Sequence, residues 1–178
     1  MNQKNFVLWF TGLSGAGKTT IADLVFQKLK QKIFSIERLD GDMVREHLTR
    51  DLGFSRGDRD ENIRRVGFVS RLLSRNGVVV IASFITPYNH HREMLRETVD
   101  NFIEVFVDAP LEVCESRDPK GIYKKARAGE IEFFTGIDDS YDVPESPHIH
   151  IKTDEVGIEE SVAIVLEYLK KNTYINFK

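Results

Sequence analysis

The run Gly12-Leu13-Ser14-Gly15-Ala16-Gly17-Lys18-Thr19 meets the spacing G-x-x-x-x-G-K-[ST] without deviation. The small residues let successive backbone N–H groups converge on phosphate oxygens, Lys18 reaches the outer phosphates, and the Thr19 hydroxyl, followed by Thr20, is placed to hold Mg²⁺. A nucleoside triphosphate is the expected ligand. The loop identifies a phosphoryl donor and says nothing of what receives the phosphate.

Other chemistry-bearing residues address the acceptor. Asp40 and Asp42 flank Gly41 where a strand gives way to a turn, the position from which carboxylates hold Mg²⁺ or orient a hydroxyl in phosphoryl transfer. One of the pair is expected to cap the following helix instead. Arg45 stands one turn into that helix. Arg59 and Asn62 are three apart and share a helical face, followed by Arg64 and Arg65; arginine forks match phosphate and sulfate geometry. The same helix with Arg56, Arg71 and Arg75 also reads as a charged surface balanced by Asp58, Asp60 and Glu61. Further on, Lys120, Lys124, Lys125 and Arg127 precede Phe133-Phe134. Cations beside aromatics suit a cover that stacks a purine and excludes water, although one of the two rings is expected to anchor the segment to the core. His90-His91 invites a metal reading, but adjacent histidines on a helix diverge and no Cys or third His has ligand spacing around them; they are read as surface residues.

Positioning these groups requires a regular frame. Val7-Leu8-Trp9-Phe10-Thr11 is an unbroken apolar strand before the glycine loop, and Ile21, Leu24, Val25 and Leu29 give the helix after it one apolar face. A second strand is expected from Ile33 into Leu39, a short helix from Met43 to about Thr49, a polar stretch from Gly53 to Asp60, and a longer helix over Ile63, Val66, Val69 and Leu73 that ends at Asn76-Gly77. Val78 to Ser83 should lie centrally in the sheet, being too short and too β-branched for a helix. A helix over 89–99, a strand over Phe102 to Asp108, a helix from Leu111 to Arg117, a strand over Ile149 to Thr153 and a closing helix follow. Strands alternating with helices predict an α/β fold, a doubly wound parallel five-stranded sheet flanked by helices. Residues 118–148, with Gly121, Gly129, Gly136, Pro144 and Pro147 and little periodicity, read as a long excursion of the kind that forms a lid.

The bounds agree with one globular unit over residues 1–178. A net charge of -3 argues against a general nucleic-acid binder. The single Cys114 makes no internal disulfide and sits among apolar neighbours, as a buried helix position in a reducing compartment would. The first strand begins within about five residues of Met1, and no apolar run nears the ~20 residues of a membrane span. A cytoplasmic location with no membrane partner is the expectation.

Over nearly its whole length the chain resembles the adenylylsulfate kinases, P-loop kinases of sulfate activation. The resemblance rests on the glycine loop, Leu39-Asp40-Gly41-Asp42 with Arg45, Leu52-Gly53-Phe54-Ser55, Asp58-Arg59 with Glu61-Asn62-Ile63-Arg64-Arg65, Phe106 to Leu111, and above all Cys114 to Ile131 continuing through Phe134-Thr135-Gly136-Ile137-Asp138. It implies a P-loop kinase fold with a lid insertion, and transfer of the γ-phosphoryl group of ATP to the 3′-hydroxyl of adenylylsulfate with Mg²⁺ as cofactor. It further implies that Asp42, Arg45, Arg59 and Asn62 grip the ribose and phosphosulfate, that Phe54 and Phe134 sandwich the substrate adenine, that Ile85, Thr86 and Lys120 approach it, and that Arg117 and Val156 border the ATP adenine. A homodimer is implied as well. Lys18 and Asp42 are the catalytic candidates, Asp42 for orienting or deprotonating the hydroxyl. Where the family usually has Ile-Ser-Pro this chain has Ile85-Thr86-Pro87, which puts any phosphoenzyme in doubt; His90-His91-Arg92 also departs from the usual acidic-basic pair.

Two other readings stand beside this one. Another small-molecule kinase of the same fold, acting on shikimate, gluconate or a nucleoside monophosphate, would leave Phe54 and Phe134 without a purine. A non-catalytic nucleotide-binding module of the GTPase type would need an Asn-Lys-x-Asp segment, and the sequence has none.

Overall fold

A computed structural model describes residues 4–176. Five parallel strands, β1 (Val7–Thr11), β2 (Ile36–Asp40), β3 (Val79–Ser83), β4 (Phe102–Asp108) and β5 (Ile149–Lys152), form one sheet in the order β2-β3-β1-β4-β5. Period-2 alternation divides β1 between two cores. Leu8 and Phe10 pack under α1 (Lys18–Lys30) and α7 (Ile158–Lys171), whereas Val7 and Trp9 pack with Ile63 and Val66 of α3 (Arg56–Arg75) and Leu95 of α4 (Asn89–Thr98). Burial on both faces explains why β1, β3 and β4 read as continuous apolar runs rather than alternating ones.

β1, β4 and α5 (Leu111–Arg117) fall where the sequence places them. Other elements shift for local reasons. β2 starts at Ile36 rather than Ile33: Ile33 turns into the core while Phe34 is fully exposed. α2 (Gly41–His47) begins before Met43 because the Asp40 carboxylate accepts from the Asp42 N–H and caps it. α3 starts inside the polar stretch, at Arg56, because Ser55 and Asp58 form a reciprocal capping box. The middle position of the sheet belongs to β1, with β3 beside it.

The largest departure lies in residues 118–148. That segment contains a further helix, α6 (Ile122–Arg127), and Tyr123, Ala126 and Phe134 belong to the main core cluster. Six residues are too few for periodicity to register. Cys114 is fully buried on α5, as its neighbours suggest.

Candidate active site

The C-terminal ends of parallel strands are where open α/β sheets bind ligands, and a cavity of about 910 Å³ opens there. Its walls include Ser14 through Ile21, Asp40 to Asp42, Arg45, Phe54, Arg59, Asn62, Ser83 through Pro87, Arg117, Lys120, Phe133, Phe134, Thr153 and Val156. Of the residues expected at the site, only Gly12 and Leu13 lie outside this wall.

Gly12 serves the loop by close packing: a Cβ there would sit 2.1 Å from the Val107 carbonyl oxygen, so no larger residue fits between the loop and β4. Gly17 takes the left-handed φ of 103° and opens α1. Its helix N-terminus presents unpaired N–H groups and a positive dipole end to the cavity. Lys18 lies against this end, nine-tenths buried, and its Nζ donates to the Leu13 carbonyl at 2.7 Å. Burial pushes the Lys18 pKa from 10.5 down to about 8. A desolvated ammonium with a neutral partner is primed for an anion.

Two carboxylates after β2 separate into distinct roles. Asp40 caps α2 and also accepts from the Ser83 hydroxyl at 2.7 Å and the Thr19 hydroxyl at 3.0 Å, with Arg38 3.3 Å away. Burial raises its pKa, but those hydrogen bonds and the Arg38 charge outweigh burial and hold it below the usual range. Asp42 is exposed at 73% of its side chain and pairs with Lys120 across the cavity. Asp42 is therefore the carboxylate available to a ligand. The Thr19 hydroxyl beside the ionised Asp40 is an all-oxygen donor set that fits Mg²⁺.

Arg59 and Asn62, neighbours one turn apart on the same face of α3, are both buried against the cavity. Arg59 donates through Nε to the Phe54 carbonyl at 3.0 Å and through Nη2 to the Phe133 carbonyl, with Asp139 at 3.4 Å. Asn62 accepts from the buried Thr49 hydroxyl at 2.8 Å, which fixes its amide. Arg45 donates to Gly53 and lies over the half-exposed Phe54 ring, 4.2 Å from its centroid. On the opposite side, Phe134 is 9% exposed and packs edge-on against Tyr123, while Phe133 is half exposed at a φ of 58°. Phe134 is thus the ring that anchors the segment, and Phe133 is the freer of the pair. The Asp138 carboxylate accepts from both their N–H groups, which maintains that uncommon backbone.

The Thr86 hydroxyl is buried. It accepts from Trp9 Nε1 at 2.8 Å and is 1% exposed, so it supports the loop after β3. The Ile85 carbonyl accepts from the Thr11 hydroxyl and the Gly12 N–H. Arg117 bridges Gly15 and Thr153, with 2.7 Å to the Thr153 carbonyl. Val156 stands beside it in the cavity wall. Sequence reasoning missed Thr153, Arg38 and Ser83. Ser83 at a strand's carboxyl end was legible in principle, but the reach of Arg38 to Asp23, Asp40 and Ser83 depends on a strand pairing that one sequence does not reveal.

The histidine reading needs correction. His90 is exposed, but His91 is 1% exposed, and both Nε2 atoms converge on Asp60 at 2.9 and 2.7 Å.

The adenylylsulphate kinase family model matches residues 4–152. The chain belongs to the adenylylsulphate kinase family. An adenylyl-sulfate kinase from Halothermothrix orenii is 57% identical over 98% of this chain and 95% of its own length. A probable adenylyl-sulfate kinase from Pseudomonas aeruginosa is 62% identical over 90% of this chain and 75% of its own. Among solved structures, the APS kinase of Mycobacterium tuberculosis in complex with AMPPNP and APS superposes with a TM-score of 0.88 at 44% identity, covering 95% of this chain and 99% of that one. The P-loop kinase fold and the adenylylsulfate kinase activity expected from sequence are those of this family. No helix among the described residues is long and apolar enough to cross a membrane.

Proposed function

We propose that the cavity holds both nucleotides of an adenylylsulfate kinase reaction, ATP on the glycine loop and adenylylsulfate against α2 and α3. The observation that carries this reading is continuity: one cavity joins the Lys18 cradle to a second end walled by Arg45, Phe54, Arg59, Asn62 and Phe134. A triphosphate alone needs only the first end. The second supplies two arginines for a doubly anionic phosphosulfate and aromatic faces for a purine.

The geometry supports the following roles. The N–H groups at the start of α1 and the Lys18 ammonium bind the β- and γ-phosphates, and Arg117 with Val156 borders the ATP adenine. Mg²⁺, held by the Thr19 hydroxyl with Asp40 behind it, supplies charge neutralisation at the phosphate oxygens when bound. Arg45 and Arg59 take the phosphosulfate, Asn62 orients the ribose, and Phe54 stacks the adenine with Phe134 opposite. Asp42 accepts the 3′-hydroxyl proton as a hydrogen bond and aims the oxygen at the γ-phosphorus, while Lys120 neutralises charge from the other side. Most of the rate then comes from positioning and electrostatics, because a loose transition state asks little of a base. Residues 118–148 act as a lid that excludes water as a competing acceptor, and residues 1–178 as one kinase unit in the cytoplasm.

ADP release measured with a panel of acceptors tests the assignment. Adenylylsulfate should stimulate release, and shikimate, gluconate and nucleoside monophosphates should not; the reverse pattern would overturn it. A homodimer is the proposed assembly, supported by the exposed Phe68 and Leu72 one turn apart on α3, and light scattering of the purified chain should give twice the 20.5 kDa of the monomer.

A further inference from the structure

We propose that Asp60, His90 and His91 form a surface site for a borderline divalent transition-metal ion, Zn²⁺ foremost, that clips α3 to α4. The three donor atoms come from two helices and lie within 4.8 Å of one another. Both imidazole Nε2 atoms point at the same carboxylate oxygen, at 2.9 and 2.7 Å. A tetrahedral Zn²⁺ with bonds of about 2.0 to 2.2 Å separates its ligand atoms by about 3.3 Å. Replacing the two bridging protons by one cation therefore asks each histidine nitrogen to part from the carboxylate oxygen by about half an ångström, with the two nitrogens already within 4.8 Å of each other.

The surroundings favour coordination over a merely hydrogen-bonded cluster. The Asp60 carboxylate holds a proton on Nε2 of His91, and a cation that displaces it takes the Nε2 lone pair while the ring keeps its proton on Nδ1, which no other group contests. Tyr88 stacks against His90 with ring centroids 5.5 Å apart and tilts against His91 at 5.0 Å. This packing orders both rings before any ion arrives. The adjacent cations are committed elsewhere: Arg92 donates to the Thr86 and Asp142 carbonyls and faces Glu104, and Arg56 lies over the Tyr88 ring. His90 and Asp60 are each about half exposed, which leaves an entry path and room for a water as fourth ligand. Two imidazoles and one carboxylate suit Zn²⁺ or Co²⁺, whereas Mg²⁺ prefers oxygen donors, so this site is separate in kind from the Mg²⁺ requirement of phosphoryl transfer.

The test uses the whole chain, freed of metal by dialysis against chelator and titrated with Co²⁺ without nucleotide. Tetrahedral Co²⁺ absorption should saturate at one ion per chain and be displaced by Zn²⁺ but not by excess Mg²⁺. His90→Ala and Asp60→Asn, at half-exposed positions, should keep the wild-type thermal midpoint in chelator. Each should weaken Co²⁺ binding at least tenfold and abolish the rise in midpoint that Zn²⁺ gives the wild type. His150→Ala, a control at an exposed histidine paired with Asp108, should leave binding unchanged. Wild-type binding no tighter than that of His90→Ala, or loss of the site in His150→Ala instead, would overturn the proposal.

Discussion

The Lys18 ammonium should make ATP binding pH-dependent in the slightly alkaline range. Burial takes its pKa from 10.5 to about 8. At about 1.4 kcal/mol per pH unit, keeping the buried ammonium charged at neutral pH costs about 3 kcal/mol, which triphosphate oxygens offset when they replace the Leu13 carbonyl as its acceptor. The nucleotide-bound pKa is therefore the higher of the two, and the complex takes up a proton above pH 8. Affinity is fully present below the free-state pKa and is lost as pH rises through about 8. With only the charged form binding, linkage gives a fall of about twofold from pH 7 to 8 and about 50-fold from pH 8 to 10. Tyr88, pushed up to about 12 by burial and by Asp139, stays protonated throughout, and burial also raises Tyr123 and Tyr141. Titration calorimetry with a non-hydrolysable ATP analogue over pH 7 to 10, in buffers of different ionisation enthalpy, measures both the affinity and the proton uptake. Lys18→Arg, charged throughout, should give a flat profile. A wild-type affinity that stays constant to pH 10, or binding without proton uptake at pH 9, would refute the reasoning.

Three substitutions separate binding from folding. Phe54→Ala removes a half-exposed ring and should weaken adenylylsulfate by about 1 to 3 kcal/mol while leaving ATP affinity and the thermal midpoint in place; equal weakening of both nucleotides would put the ring on the wrong purine. Thr86→Val strands the buried Trp9 N–H and should cost about 1 to 3 kcal/mol of stability by denaturant unfolding. A variant as stable as wild type yet inactive would move the Thr86 hydroxyl into the chemistry. Gly12→Ala sets a methyl 2.1 Å from the Val107 oxygen and should give little folded protein, so near-normal expression and nucleotide binding would mean that the loop and β4 can part.

How far the sequence can be read depended on whether a feature is local. β1, β4 and α5 were legible to the residue because continuous burial and helical spacing are properties of short windows. The glycine loop was legible because its chemistry is written in consecutive residues. α6 was not, because a six-residue helix held by Tyr123 and Ala126 against a distant core has no pattern of its own. The buried state of His91 was missed for a related reason: its partner Asp60 is 31 residues away on another helix. The division of labour between Asp40 and Asp42 required coordinates, since Ser83 and Arg38 claim Asp40 only through the pairing of β2 with β3.

The same dependence on partners decides which arginines serve the site, a question that the arginine-rich α3 left open. Arg64 and Arg65 are forked onto Glu61 and Asp51, and Arg38 onto Asp23 and Asp40. Their charge is already neutralised, and an incoming phosphate would have to displace a carboxylate. Lys18, Arg45 and Arg117 donate to neutral oxygens instead: the carbonyls of Leu13, Gly53 and Gly15, together with Thr153. Arg59 holds two carbonyls and is paired with Asp139 more loosely, at 3.4 Å. A charge-assisted bond to an oxyanion is roughly twice as strong as one to a neutral acceptor, so at these four positions a phosphate or sulfate oxygen exchanges a weak bond for a strong one. Positive charge held by carbonyls or by a loose ion pair, rather than the number of arginines, is what suits the cavity to the two anions proposed for it.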